Sequence, residues 1–174
     1  RRREVIGELV AATGNMARRK CGALIVVERR IGMQTLIDDS VKLDIKVNAM
    51  VLESIFFPNS PLHDGAVIIR DDRIVAARAI LPLTRVENIS RRLGTRHRAA
   101  LGISEDTDAV TIVVSEETGT ISIACRGVLH RDLAISELES YLEKLIIQEQ
   151  DDADLAETVQ MLEEQSERQS GEHL

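Results

Sequence analysis

At 174 residues and 19.3 kDa the chain has the length of one compact domain, and 44% hydrophobic with 29% charged residues excludes a disordered or bilayer-spanning composition. The net charge of −7 is lopsided: nine of the 29 acids lie in residues 148–174 against one base, Arg168, which leaves 20 acids and 21 bases in residues 1–147. With 2% aromatics, no Trp and no basic stripe, the composition argues against a long nucleic acid as partner and leaves room for a small anion held by a few arginines.

In chain order, Val5, Leu9, Ala12 and Met16 recur at helical spacing and predict an amphipathic helix ending near Arg18-Arg19-Lys20. Ala23-Leu-Ile-Val-Val27 is a continuous apolar run, the pattern of a strand buried on both faces. Residues 31–40 read as loop or short structure. Leu43, Val47, Met50, Val51 and Ile55 predict a second helix, stopped by Pro58-Asn59-Ser60-Pro61. Residues 66–70 and 73–80, flanking Asp71-Asp72, predict a hairpin. A loop through Glu87–Ser90 leads to a short helix over 96–101, and then 110–114 and 120–125 form another strand pair. Leu138, Leu142, Leu145 and Ile146 predict a closing helix, with a weaker acidic one over Leu155, Val159 and Leu162. The expected architecture is α/β: a single domain over 1–147 with a central mixed β-sheet flanked by helices, followed by an acidic helical or disordered tail over 148–174. Cys21 and Cys125, both set in apolar runs, are expected to be buried, reduced thiols. No apolar run approaches the roughly 20 residues of a bilayer helix, and the opening Arg1-Arg2-Arg3 is not expected to begin a signal peptide.

Neither a P-loop, a G-x-G-x-x-G fingerprint, a paired zinc spacing nor a G-x-S-x-G elbow is present. Three polar clusters at element edges carry the chemistry instead. His63-Asp64-Gly65 precedes a buried strand; a carboxylate beside a glycine there suits a divalent metal or a ribose hydroxyl, and equally a plain turn. Gly94-Thr95-Arg96-His97-Arg98 opens a helix, where Thr95 can cap, free N–H groups favour an anion and guanidinium groups match phosphate oxygens. Arg96 and Arg98 lie about 200° apart on a helix, so they share one small ligand only if the helix end itself lies at the site. Ser115-Glu116-Glu117-Thr118-Gly119 ends a strand; it suits a metal that bridges phosphates, and as readily a charged hairpin turn.

Taken together, His63-Asp64-Gly65-Ala66, Gly94-Thr95-Arg96-His97-Arg98-Ala99-Ala100 and Ser115-Glu116-Glu117-Thr118-Gly119 resemble the diadenylate cyclase domain over roughly Gly22 to Leu133, most closely its membrane-anchored branch. The resemblance implies synthesis of cyclic di-AMP from two ATP molecules by two domains facing each other as a head-to-head homodimer. It implies that Asp64 binds a divalent ion (Mn²⁺ or Mg²⁺, with Co²⁺ as a further candidate) and activates the ribose 3′-hydroxyl, with Gly65 against the sugar and His63 as a further metal contact. Thr95, Arg96 and Arg98 would hold phosphates and His97 would support their loop. Ser115, Glu116 and Glu117 would meet the triphosphate and its metal, and Leu81 would line the adenine pocket. Family members often carry a tyrosine where this chain has Ile80, which weakens the expectation of adenine stacking. The resemblance further implies a cytoplasmic domain anchored through a preceding membrane segment absent here, with a regulatory protein partner left open. A non-catalytic adenine-nucleotide sensor acting through the acidic tail is the competing reading, and a structural module whose tail helix binds a partner is a third.

Overall fold

A computed structural model of the chain describes residues 1–86, 93–148, 164 and 168; the loop expected at 87–90 and nearly all of the acidic tail lie outside them. In chain order the elements are helix α1 (Arg2–Arg18), strand β1 (Ala23–Val27), helix α2 (Gln34–Asp38), strand β2 (Val41–Lys46), helix α3 (Ala49–Phe56), strands β3 (Ala66–Arg70) and β4 (Arg73–Ala79), helix α4 (Thr95–Asp106), strands β5 (Val110–Val114), β6 (Ile121–Cys125) and β7 (Val128–His130), and helix α5 (Ile135–Leu142) running into a π-helical turn over Glu143–Ile147. The strands form one sheet in the order β2-β4-β3-β1-β5-β6-β7. Only β1 and β3 are parallel, with Ile25 opposite Val67, so the sheet is mixed as expected.

The apolar run of β1 is explained by burial on both faces. Ala23, Ile25 and Val27 face a core shared with Leu9, Leu52, Ile112 and Leu138, beneath α1, α3 and α5. Leu24 and Val26 face the opposite core with Ile68, Ala100 and Ile103, beneath α4 and α2. Period-2 alternation sends successive side chains to opposite sides, so a strand sandwiched between helix layers must be apolar throughout. Both cysteines are buried, and neither is in a disulfide.

Two expectations are corrected. Leu43 does not begin a helix: Val41–Lys46 is an edge strand paired with β4, and α3 starts only after Asn48, whose Oδ1 accepts from the N–H groups of Met50 and Val51 at 2.9 and 3.2 Å. The segment Val41-Lys-Leu-Asp-Ile-Lys46 alternates apolar and charged residues, and over so short a stretch that pattern also satisfies a helical stripe. Met50, placed on that stripe, is largely exposed. The helix expected over 96–101 instead runs from Thr95 to Asp106.

Candidate active site

Because β4 and β5 run antiparallel to the β1–β3 pair, one end of the sheet collects four chain segments: the start of β1, the turn entering β3, the exit of β4 and the exit of β5. The N-terminus of α4 joins them. Between them lies a cleft of about 780 Å³, of the size that takes one nucleotide. Its lining includes His63, Asp64, Gly65, Leu81, Thr95, Arg96, His97, Ser115, Glu116 and Glu117, drawn from four separate stretches of the chain.

Arg98 is the exception. It does not line the cleft; its Nε donates to the Leu93 carbonyl at 3.4 Å, and its own carbonyl accepts from the Thr84 N–H at 3.0 Å. The two arginines diverge around the helix as their spacing requires, so the expectation that both reach one phosphate chain is not met by this geometry. Thr95 also differs from expectation: Gly94 is the N-cap, in extended conformation and without a side-chain cap. The N–H groups of the first turn are thereby left for a ligand, at the positive end of the helix.

On the β3 side, His63 Nδ1 lies 2.6 Å from the Ser60 carbonyl oxygen, which can only accept, so Nδ1 carries a proton and, in the neutral ring, Nε2 presents a lone pair. That lone pair lies 3.3 Å from Asp64 Oδ1, and the Asp64 side chain is 77% exposed. Two acceptors facing each other need a cation or a proton between them. This donor set fits a divalent ion held by one or two protein groups and completed by phosphate oxygens. No group of three His, Cys, Asp or Glu side chains forms a metal cage among the described residues, so Glu117 does not join the pair in a protein-only site. Gly65 has φ +86°, and a Cβ there would lie 2.8 Å from the Ala79 carbonyl oxygen. It nests against a bulge in β4 at which Arg78 takes φ 55°, which turns Ala79–Leu81 into the cleft.

On the opposite wall, Arg96 Nη1 pairs with Glu116 Oε2 at 3.3 Å, and the guanidinium lies against Gly22, where a Cβ would approach within 2.6 Å of it. Glu116 thus orients the arginine. Gly22 provides its seat, a role that the sequence signals only as a glycine opening a buried strand. Ser115 Oγ accepts from the N–H groups of Glu117 and Thr118 at 3.2 and 3.3 Å; with both lone pairs engaged, its proton is left to donate to a ligand oxygen. The apolar side is aliphatic: Leu24, Leu81, Leu83 and Leu93, with Ile80 86% exposed at the rim, and no Phe, Tyr or Trp ring in the lining among the described residues.

His97 is buried, and burial, with Arg131 and then Arg96, lowers its pKa from an ordinary 6.5. A group with a depressed folded pKa takes its proton more readily when unfolded. This residue therefore leaves stability intact above about pH 6.5 and withdraws it as pH falls through the lower folded value. The melting temperature is expected to fall between pH 7 and pH 5, with a smaller fall in His97→Gln; equal slopes in the two proteins would refute the assignment.

The family described as DisA bacterial checkpoint controller nucleotide-binding, abbreviated DAC, matches residues 10–129. The chain belongs to the DAC family. It is 49% identical over 140 residues to the cyclic di-AMP synthase CdaA of Bacillus subtilis, covering 80% of this chain and 51% of that protein. It is also 49% identical over 143 residues to a diadenylate cyclase of Listeria monocytogenes, covering 82% and 52%. The chain therefore spans about half the length of these curated relatives. Among solved structures, DacA from Staphylococcus aureus, crystallised as a double cysteine mutant, superposes with a TM-score of 0.79 at 45% identity, over 81% of this chain and 94% of that one. A hypothetical membrane spanning protein from Bacillus cereus gives a TM-score of 0.68 at 44% identity, over 74% and 63%. The DAC fold thus accounts for the seven-stranded mixed sheet. Among the described residues of this DAC domain, no helix is long and apolar enough to cross a membrane.

Proposed function

We propose that this DAC domain condenses two ATP molecules into cyclic di-AMP, releasing two pyrophosphates. The observation that carries this reading is the convergence, in one cleft, of the Asp64–His63 pair, the open N-terminus of α4 with Arg96, and the Ser115–Glu117 turn. The names of the relatives, a cyclic di-AMP synthase and a diadenylate cyclase, support it.

Each chain binds one ATP. Leu81 and Leu83 hold the base by aliphatic contact, and Gly65 lets the ribose approach the backbone. Arg96, steered by Glu116, and the first-turn N–H groups of α4 bind phosphate oxygens. Ser115 donates its proton to another, with Glu117 beside it. Asp64 and His63 would hold a divalent cation, Mg²⁺ or Mn²⁺, which would supply charge neutralisation and lower the pKa of the ribose 3′-hydroxyl. Asp64 takes the proton from that hydroxyl, whose oxygen bonds to the α-phosphorus of the ATP in a facing second copy while the bond to pyrophosphate breaks. Arg96 stabilises the charge that collects on the leaving group.

One cleft holds one nucleotide, so the reaction needs a head-to-head dimer. The exposure of Asp64, Ile80 and Leu83 along the rim is consistent with a surface that a second domain covers. Attachment to a membrane through chain outside these residues belongs to the same proposal, prompted by the Bacillus cereus relative's description as membrane spanning.

The test is incubation with ATP and Mn²⁺ or Mg²⁺ over a dilution series, with product measured by mass spectrometry and association by light scattering. Cyclic di-AMP formed per molecule is expected to fall as dimers dissociate. Constant activity with only monomer present would remove the facing arrangement, and ATP binding without any cyclic product would favour the sensor reading.

A further inference from the structure

A second cavity, of about 410 Å³, lies at the other end of the same strands: Leu24, early in β1, lines the active-site cleft, whereas Val27 at the end of β1 lines this one, together with Asp71 just after β3. Four arginines line it, Arg1, Arg2, Arg29 and Arg30, beside an apolar wall that includes Val5 and Leu145.

Three acids line it as well, Glu28, Asp71 and Asp72, and arginines hold two of them. Asp72 is engaged in a two-pronged pair with Arg1 at 2.9 and 3.0 Å, and Glu28 in another with Arg70 at 2.8 and 3.1 Å. Among the described residues no carboxylate pairs with the side chains of Arg29 or Arg30. Arg29 Nη1 is moreover buried without any hydrogen-bond partner. A buried guanidinium N–H without an acceptor is costly, and a ligand oxygen would satisfy it once the Arg29 side chain turns that group, now closed to solvent, into the cavity.

The backbone at this point is fixed in advance. Buried Asp108 accepts from the N–H groups of Arg30 and Ile31, each at 3.0 Å, so the arginine pair is presented by a pinned turn. Two guanidinium groups without a carboxylate partner, beside aliphatic side chains, match the phosphoryl group of a small organic phosphate, with the wall taking its carbon skeleton.

We propose that this distal cavity is a second anion site, separate from the active-site cleft, which binds a phosphoryl group through Arg29 and Arg30. The same chemistry is offered by a soluble phosphate and by a phospholipid headgroup, and the test separates them.

Amide chemical shifts of the whole chain are followed by NMR during titration with inorganic phosphate. Saturable shifts are expected at Arg29, Arg30 and Ile31, persisting in Arg96→Gln and weakened about tenfold in Arg30→Gln, a solvent-exposed change that spares the fold. In parallel, sedimentation with vesicles containing phosphatidylglycerol is compared with pure phosphatidylcholine, using Arg18→Gln as a charge-matched control. Phosphate shifts that Arg30→Gln weakens, without vesicle binding, assign a soluble ligand. Vesicle binding that requires phosphatidylglycerol and is lost in Arg30→Gln but not in Arg18→Gln assigns a headgroup. Shifts confined to Thr95–Arg98, or responses at both arms that ignore Arg30→Gln, would overturn the site. Because Arg96→Gln disables only the cleft, failure of the distal site and failure of the cyclase reading give different patterns.

Discussion

Replacing Asp64 by Asn is expected to lower cyclic di-AMP formation by about 10²–10⁴-fold while leaving the melting temperature within the spread of a surface substitution, about 0.5 kcal/mol. The asymmetry follows from its setting. The side chain is 77% exposed and faces His63 Nε2 at 3.3 Å, so the fold has little invested in it. An amide keeps the shape but removes the charge that offsets a cation and the basicity that accepts a proton. Because the backbone and the phosphate-binding wall are untouched, ATP should still bind in the absence of divalent ions with nearly unchanged affinity. Turnover within tenfold of the unmodified chain would remove Asp64 from the chemistry.

The second large effect is expected at Gly102, in the middle of α4. Helix propensity alone predicts that Ala there would stabilise the chain by about 0.5–1 kcal/mol. The packing predicts the opposite sign. A Cβ on Gly102 would lie 1.8 Å from the Pro82 carbonyl oxygen and 2.7 Å from its carbonyl carbon, backbone atoms that no rotamer change can move aside. Either α4 or the Leu81–Leu83 segment must shift, at a cost of about 1–3 kcal/mol, or roughly 2–12 °C in melting temperature. Leu81 and Leu83 line the cleft, so the same displacement should raise the KM for ATP more than it lowers kcat. Thermal melting together with steady-state kinetics checks both. A Gly102→Ala protein that melts higher than the unmodified chain would show that the contact is not maintained in solution.

These two residues mark where reading the chain succeeds and where it stops. Asp64 stands out beforehand, because a carboxylate followed by glycine at a strand mouth has few chemical uses and its neighbours narrow them further. Gly102 does not, because nothing in its helical surroundings records which carbonyl crosses it. The same contrast holds for the elements. The uninterrupted run in β1 can only be a doubly covered strand, and the Asp71-Asp72 break between two apolar runs makes a hairpin legible. In contrast, β2 is open to two periods over six residues, and what decides it is its pairing with β4, a partner some thirty residues away. At the site, helical spacing already separates Arg96 from Arg98. Which of the two faces the ligand depends on how α4 docks, and there Gly22 receives the Arg96 guanidinium while Arg98 turns to the Leu93 carbonyl.

Local patterns of side-chain type and the order of motifs suffice for the class of fold, the residues able to carry chemistry and the family they resemble. They do not say that the start of β1, the entrance to β3, the exits of β4 and β5, and the N-terminus of α4 share one end of the sheet. That convergence comes from strand direction and from packing on both faces. Such interactions join residues far apart along the chain, and the periodicity of a segment cannot encode where its distant neighbours will lie.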